Sequence, residues 1–71
     1  MTHRLSAPPS VMENIDRIKD IRELHGMTRK DIADLSGVCV EYIARYELGY
    51  RYPSRTNYNK LAKVFNWEEW Y

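Results

Sequence analysis

The sequence has little of what disulfides, metal sites and membrane spans are made of. It contains one cysteine and two histidines, so it cannot form an internal disulfide, and these residues do not have the spacing of a zinc site. No apolar run approaches the ~20 residues that a membrane-spanning helix needs, and the first residues lack the apolar core of a signal peptide. We therefore expect a cytoplasmic protein without a metal ion, a cofactor or a membrane partner.

The groupings that catalysis requires are also missing. Gly26, Gly37 and Gly49 are isolated from one another and form no phosphate-binding loop. No nucleophile is paired with a base, and no carboxylates are paired in the way a catalytic cleft needs. The sequence therefore predicts no enzyme and no small-molecule ligand.

Aromatic residues are absent from the first 41 positions, yet nine follow: Tyr42, Tyr46, Tyr50, Tyr52, Tyr58, Phe65, Trp67, Trp70 and Tyr71. The chain has 71 residues, which is enough for one small domain. Its net charge is only +1, so its general attraction to a polyanion is weak. A function for this protein must account for the aromatic residues more than for its charge.

Apolar spacing predicts a helix at the start of a domain over residues 10–71, after a flexible arm over residues 1–9. Pro8 and Pro9 disfavour helix in the arm, and Ser10 with Glu13 has the form of a capping box. One apolar stripe follows at helical spacing: Val11, Ile15, Ile18, Ile21 and Leu24. Gly26 is placed to end this helix in a left-handed conformation.

The same spacing predicts two short helices in the middle of the chain. Thr28 and Asp31 form a second capping box, and the helix after them buries the apolar residues Ile32, Ala33 and Leu35. Gly37 interrupts this helix after two turns, and a third helix fits Val40 to Leu48.

A fourth helix is predicted after Ser54, which can cap it. Its apolar face consists of Tyr58, Leu61, Ala62 and Phe65. Asn66 and Glu69 are placed to begin a last turn that holds Trp67 and Trp70. Because no strand pattern competes, the sequence predicts an all-α fold, a compact bundle of four to five short helices.

A helix, a tight glycine turn and a second helix within such a bundle make a helix-turn-helix. From about Ile18 to Trp67, the sequence resembles the lambda-repressor-like helix-turn-helix family of Cro, CI and Xre regulators. The residues that carry the resemblance are Met27 to Val38, Ile43 to Gly49, and Pro53 with Ser54. The resemblance implies a lambda-repressor-like DNA-binding domain.

Several residues are predicted to have structural roles in this motif. Ala33 must be small because the two helices cross at close range, and Gly37 lies in a turn that calls for a positive φ. Val38 and Ile43 anchor the second helix, and Tyr46 faces the core one turn after Ile43. The resemblance also implies that Arg22 pairs with Glu47, which precedes a helix stop at Gly49.

The resemblance further implies which side chains face DNA. Those in the major groove are Val40, Glu41, Ala44 and Arg45, and those near the phosphates are Arg29, Cys39, Tyr50 and Arg51. Only Arg45 is well suited to read a base, because direct readout relies on Arg or Lys for guanine and Asn or Gln for adenine. Glu41 brings a negative charge toward the phosphates, and Tyr42 is bulky for a close approach to the backbone.

The aromatic residues divide into two groups. Tyr46, Tyr58 and Phe65 lie at core spacing, whereas Tyr42, Tyr50 and Tyr52 lie on the edge that a DNA-binding relative turns toward the groove. Exposed tyrosines are enriched among the residues that dominate protein–protein binding. This second group therefore favours a protein partner.

The sequence is similar to the short modulators of repression in the lysis/lysogeny switches of temperate phages. The leading hypothesis is an antirepressor whose surface of Val40, Glu41, Tyr42, Arg45 and the loop 50–52 binds the N-terminal domain of a CI-type repressor and keeps it off its operator. The alternative is a Cro-like repressor that binds a palindromic operator as a homodimer through Arg45 and the phosphate contacts. Joint binding to DNA with the repressor stays open. Each hypothesis places the protein in the cytoplasm of a bacterial host.

Overall fold

The computed structural model describes residues 7–71, so most of the predicted arm lies outside the described residues. Five helices follow one another: α1 (Pro9–Asp16), α2 (Ile18–Leu24), α3 (Arg29–Ser36), α4 (Val40–Leu48) and α5 (Arg55–Phe65). Residues 7–71 contain no strand. α3 packs against α4 and α5, while α1 and α2 pack against α4. The predicted all-α bundle is confirmed.

The first predicted helix is two helices, and its predicted capping box is wrong. α1 begins at Pro9, two residues before the first helical position that a cap at Ser10 implies, and no side chain caps it. Proline is well accommodated at the first helical position, where its missing N–H has no partner to lose. Ser10 therefore lies inside the helix, where it cannot serve as the cap. At Arg17 the backbone leaves the helical conformation (φ −108°, ψ 10°), and α2 begins after it.

The apolar stripe of the first two helices ends earlier than predicted. Val11, Ile15 and Ile18 are buried, but Leu24 is exposed. Ile21 is half-buried against the core, and the next buried position after Ile18 is taken by Arg22, four residues on. Leu24 lies two residues further, about 200° around a helix of 3.6 residues per turn, so it faces solvent.

Short local signals correctly predict the start of α3, the start of α5 and the turn after α2. The Thr28 hydroxyl accepts a hydrogen bond from the Asp31 N–H (3.0 Å), and the Asp31 carboxylate accepts one from the Thr28 N–H (2.9 Å), so this capping box is confirmed. Ser54 caps α5 by accepting from the Asn57 N–H. Gly26 has φ +70° after α2, as predicted.

The core draws residues from all five helices and the turn before α4: Val11, Ile15, Ile18, Ile32, Val38, Ile43, Tyr46, Tyr58, Leu61, Ala62 and Phe65. Leu35, predicted to be buried, is exposed. The half-buried Ser36 lies four residues after Ile32, and its hydroxyl accepts a hydrogen bond from the Val38 N–H (3.0 Å). The inward position at the end of α3 therefore belongs to Ser36.

The predicted last turn is absent, and residues 67–71 form a non-helical tail against α5. Asn66 ends α5 in a left-handed conformation (φ 60°). The Asn59 amide then donates to the Trp70 carbonyl (3.0 Å) and accepts from the Trp70 N–H (2.7 Å). Trp67 stacks on Tyr58, with ring centroids 5.4 Å apart. Trp70 thus bonds to a side chain of α5 instead of continuing a helix.

Candidate recognition surface

A short turn between α3 and α4 sets the direction of the second helix. Gly37 has φ +82°, a conformation in which a Cβ costs about 1–2 kcal/mol, so the predicted positive φ is confirmed. Val38 and Ile43 are buried on either side of the start of α4. The opposite face of α4 is thereby directed outward. The half-buried Ala33 lies on α3, against which α4 packs.

The end of α4 is held to α2 and α3 through one buried carboxylate. The Glu47 side chain is 1% exposed, and the Arg22 Nε donates to its Oε2 (2.7 Å). The Arg22 Nη2 donates to the Oε1 (3.1 Å), and the Arg22 Nη1 donates to the Met27 carbonyl (2.8 Å). The pair that the family resemblance implies is present, as a two-point contact.

Arg29 is a second partner of this carboxylate, which the sequence reasoning did not predict. Its Nε donates to the Glu47 Oε1 (2.9 Å), and its side chain is about 40% exposed. Sequence reasoning placed Arg29 near DNA phosphates; the structure places it at the first position of α3, with one nitrogen bound to Glu47. No local spacing signals a contact between residues 18 positions apart.

Glu47 remains charged at neutral pH. Burial acts to raise the pKa of Glu47, but the hydrogen bonds from Arg22 and Arg29 outweigh it, so the pKa lies below its ordinary value. The hydrogen bond to Glu47 in turn raises the pKa of Arg22. The three side chains form a structural ion cluster.

The burial of Glu47 changes the charge that α4 presents to a partner. The helix contains two acidic residues, Glu41 and Glu47, and one basic residue, Arg45. Since Glu47 is buried and paired, the exposed charges of α4 are Glu41 and Arg45, which cancel. A recognition helix without net positive charge has little electrostatic attraction for DNA.

The residues predicted to face a partner from α4 lie on its outer side. Glu41 and Arg45 are exposed, Val40 is 41% exposed, and Ala44 is half-buried. Cys39 is exposed immediately before the helix. Sequence reasoning missed Leu48, which continues the row of Val40 and Ala44 at four-residue spacing and is 60% exposed. The spacing alone was the signal for it.

A loop of residues 50–52, which we name the tyrosine loop, stands beside α4. Tyr50 is 76% exposed, and the Arg51 guanidinium lies over the ring of Tyr42, 5.1 Å from its centroid. The Tyr50 N–H bonds to the Arg45 carbonyl (2.9 Å) after Gly49, which has φ +82°.

The other end of the tyrosine loop is held by α1. The Tyr52 hydroxyl donates to the Asp16 carboxylate, and this hydrogen bond raises the pKa of Tyr52. Pro53, the next residue, is buried. The loop is thus held at both ends by contacts within the domain, and Tyr50 and Arg51 are exposed between them.

The part of the chain that the structure describes lacks both a metal-binding cluster and a membrane-spanning helix. Residues 7–71 contain no group of three or more His, Cys, Asp or Glu side chains that could hold a metal ion. None of the helices described is long and apolar enough to cross a membrane.

Comparison with family models matches residues 18–69 to the family described as Helix-turn-helix. The match extends from the start of α2 to the tail and includes the whole of α3 and α4. Searches of the curated proteins and of the solved structures found no match.

Proposed function

The chain belongs to the helix-turn-helix family of DNA-binding transcription regulators, and from that premise we propose that it acts as an antirepressor. Its outer α4 surface and the tyrosine loop bind the N-terminal DNA-binding domain of a CI-type repressor and block its operator binding. The setting is a phage lysis/lysogeny switch in the cytoplasm of a bacterial host. The observation that carries this proposal is an α4 surface with no net charge beside exposed, fixed tyrosines.

The charges of α4 support a protein partner over DNA. The first residues of a recognition helix usually enter the major groove, and here the first turn carries Glu41. Glu41 is repelled by phosphates but attracted to the basic residues with which a repressor contacts its operator. Arg45 is the one exposed side chain of α4 suited to reading a base.

Tyr42 on α4 and the tyrosine loop together supply the area that a protein interface needs. Tyr42 and Tyr50 offer large apolar rings, and Arg51 is already stacked on Tyr42. Tyrosine and arginine are enriched among the residues that contribute most to protein–protein binding. Because the loop is anchored at both ends, little conformational entropy is lost when a partner binds.

A Cro-like repressor that binds operator DNA directly is the second candidate. The α3–α4 arrangement itself favours it, and Arg45 and Arg51 are exposed at or next to α4. Arg29 is partly exposed at the start of α3 and has nitrogens beyond the one bound to Glu47. In this alternative, these three arginines contact bases and phosphates, alone or together with the repressor.

The test is a titration of the full chain with the isolated N-terminal domain of its cognate repressor. We expect a complex, and we expect Glu41→Lys or Tyr42→Ala to weaken it by about tenfold or more. Glu68→Lys and Tyr71→Ala are matched controls on the exposed tail, and they should leave the affinity unchanged. If no complex forms, or if the α4 variants bind as well as the native chain, the antirepressor proposal fails.

A gel shift with promoter DNA at low salt decides between the two candidates. The antirepressor proposal expects no sequence-specific shift by the chain alone. A specific shift that Arg45→Ala abolishes would favour the Cro-like alternative.

A further inference from the structure

The outer side of α4 carries two parallel rows of residues at four-residue spacing. Val40, Ala44 and Leu48 form an apolar row, and Val40 and Leu48 are 41% and 60% exposed. Glu41 and Arg45 form a charged row beside it. Within residues 7–71 neither Glu41 nor Arg45 takes part in an ion pair. Rows at this spacing are the ridges by which helices commonly pack against one another.

These rows are complementary to themselves under a two-fold rotation. Consider a second α4 that lies antiparallel to the first, with the two-fold axis passing beside Ala44. At a rise of about 1.5 Å per residue, Val40 and Leu48 then lie about 6 Å from the two-fold axis, measured along the helix in opposite directions. Val40 then faces Leu48 of the second copy. The small Ala44 lies at the crossing point, where two helices approach most closely.

The charged rows also match in this arrangement. Measured along the helix, Glu41 lies about 4.5 Å from the two-fold axis. Arg45 of the second copy lies about 1.5 Å from the two-fold axis in the same direction. The remaining offset of about 3 Å is within the reach of a glutamate and an arginine side chain. A two-fold axis repeats every contact, so two such ion pairs form. A parallel two-fold arrangement would instead place the two charged rows on opposite sides of the interface, where they could not pair with each other.

We propose that two copies of this chain associate through antiparallel α4 helices, and that this homodimer covers the surface that binds the repressor or DNA. The interface contains one face of a nine-residue helix. It is therefore smaller than a standard interface, and we expect a dissociation constant of roughly 10 µM to 1 mM. At a high concentration, most of the protein would then be dimeric and unable to bind the repressor or DNA. This regulatory consequence rests on the proposed function, but the self-association does not.

Sedimentation velocity of the full chain at low salt tests the proposal, over concentrations from about 1 µM to about 1 mM. We expect a rise from monomer toward dimer. Glu41→Arg and Arg45→Glu should each weaken the dimer by about tenfold or more, because each variant places like charges opposite one another. An equimolar mixture of the two variants should regain association, since each then faces the opposite charge. Glu68→Arg is the matched control and should leave the dimer intact.

Two results would overturn the inference. One is a chain that stays monomeric up to about 1 mM, where even the weakest expected dissociation constant would leave about half of the chains in dimers. The other is a dimer that both charge reversals leave unchanged. A native monomer that still binds the repressor or DNA removes only this inference. If the charge reversals weaken the dimer but the native chain binds neither the repressor nor DNA, only the proposed function is removed.

Discussion

At the scale of single residues, Glu47 connects the fold to the function. It joins α4 to α2 and α3 through Arg22 and Arg29, and its side chain is almost completely buried. The same contacts remove a negative charge from the surface of α4. One carboxylate therefore positions α4 and also determines the net charge that the surface of α4 exposes.

Replacing Glu47 should destabilise the protein strongly. Glu47→Gln leaves the buried Arg22 guanidinium without its counter-ion, a change that costs about 3–5 kcal/mol in comparable buried pairs. Asp34→Asn removes the exposed pair of Asp34 with Lys30 and should cost about 0.5 kcal/mol or less. Urea unfolding followed by circular dichroism measures both. Equal losses in the two variants would show that the buried cluster contributes no more than a surface pair.

The lowered pKa of Glu47 also predicts how stability depends on pH. Below about pH 4.3, the ordinary pKa of a glutamate, the unfolded chain takes up a proton that the folded chain does not. The contribution of Glu47 to stability is therefore complete above this pH and is lost as the pH falls through its lowered folded-state pKa. Urea unfolding between about pH 2 and pH 7 measures the free energy of unfolding at each pH. On the acid side, this free energy should change less steeply with pH in Glu47→Gln than in the native chain. An unchanged slope would contradict the assignment.

At the scale of helices, the sequence predicts most elements because their signals are local. The bounds of α4, the cap of α3 and the left-handed residue after α2 follow from residues within one turn of each end. The division between α1 and α2 is not predicted, because the apolar stripe continues across Arg17. The burial of Arg22 depends on a contact 25 residues away, which helical spacing cannot reveal.

The two capping boxes of the sequence should respond differently to mutation. Thr28→Ala removes the observed cap of α3 and should cost about 1 kcal/mol. Ser10→Ala should change the free energy of unfolding by less than about 0.5 kcal/mol, because Ser10 makes no capping hydrogen bond and is exposed. Thermal or urea unfolding of both variants measures the difference. A larger loss from Ser10→Ala than from Thr28→Ala would contradict the observed start of α1.

The candidate site was predicted less completely than the helices. The outward positions of α4 and the tyrosine loop are implied by the family resemblance. The second role of Arg29, the stacking of Arg51 on Tyr42 and the bond of Tyr52 to Asp16 all join distant parts of the chain or depend on the course of a loop. Sequence patterns therefore locate the surface, but tertiary contacts determine its charge and its rigidity.

At the scale of the whole molecule, the protein combines a fold typical of DNA-binding regulators with a net charge close to zero. The chain has a net charge of +1, and the helix that a relative turns toward DNA has exposed charges that cancel. A repressor complex held by tyrosines should lose less affinity with added salt than a DNA complex. In a DNA complex, each phosphate contact adds about 0.9 to the steepness with which the logarithm of the affinity falls against the logarithm of the salt concentration. Isothermal titration at two salt concentrations measures this, and a slope as steep as that of several phosphate contacts would contradict it.

The most direct test adds the chain to a preformed complex of the cognate repressor with its operator, and follows the DNA by fluorescence anisotropy. The chain should be kept at concentrations below those at which it dimerises. The account predicts that the native chain releases the operator, that Glu41→Lys releases it only at about tenfold higher concentration or more, and that the chain alone leaves the anisotropy of the operator unchanged. An operator that stays bound to the repressor, or that the chain binds specifically by itself, would contradict the account.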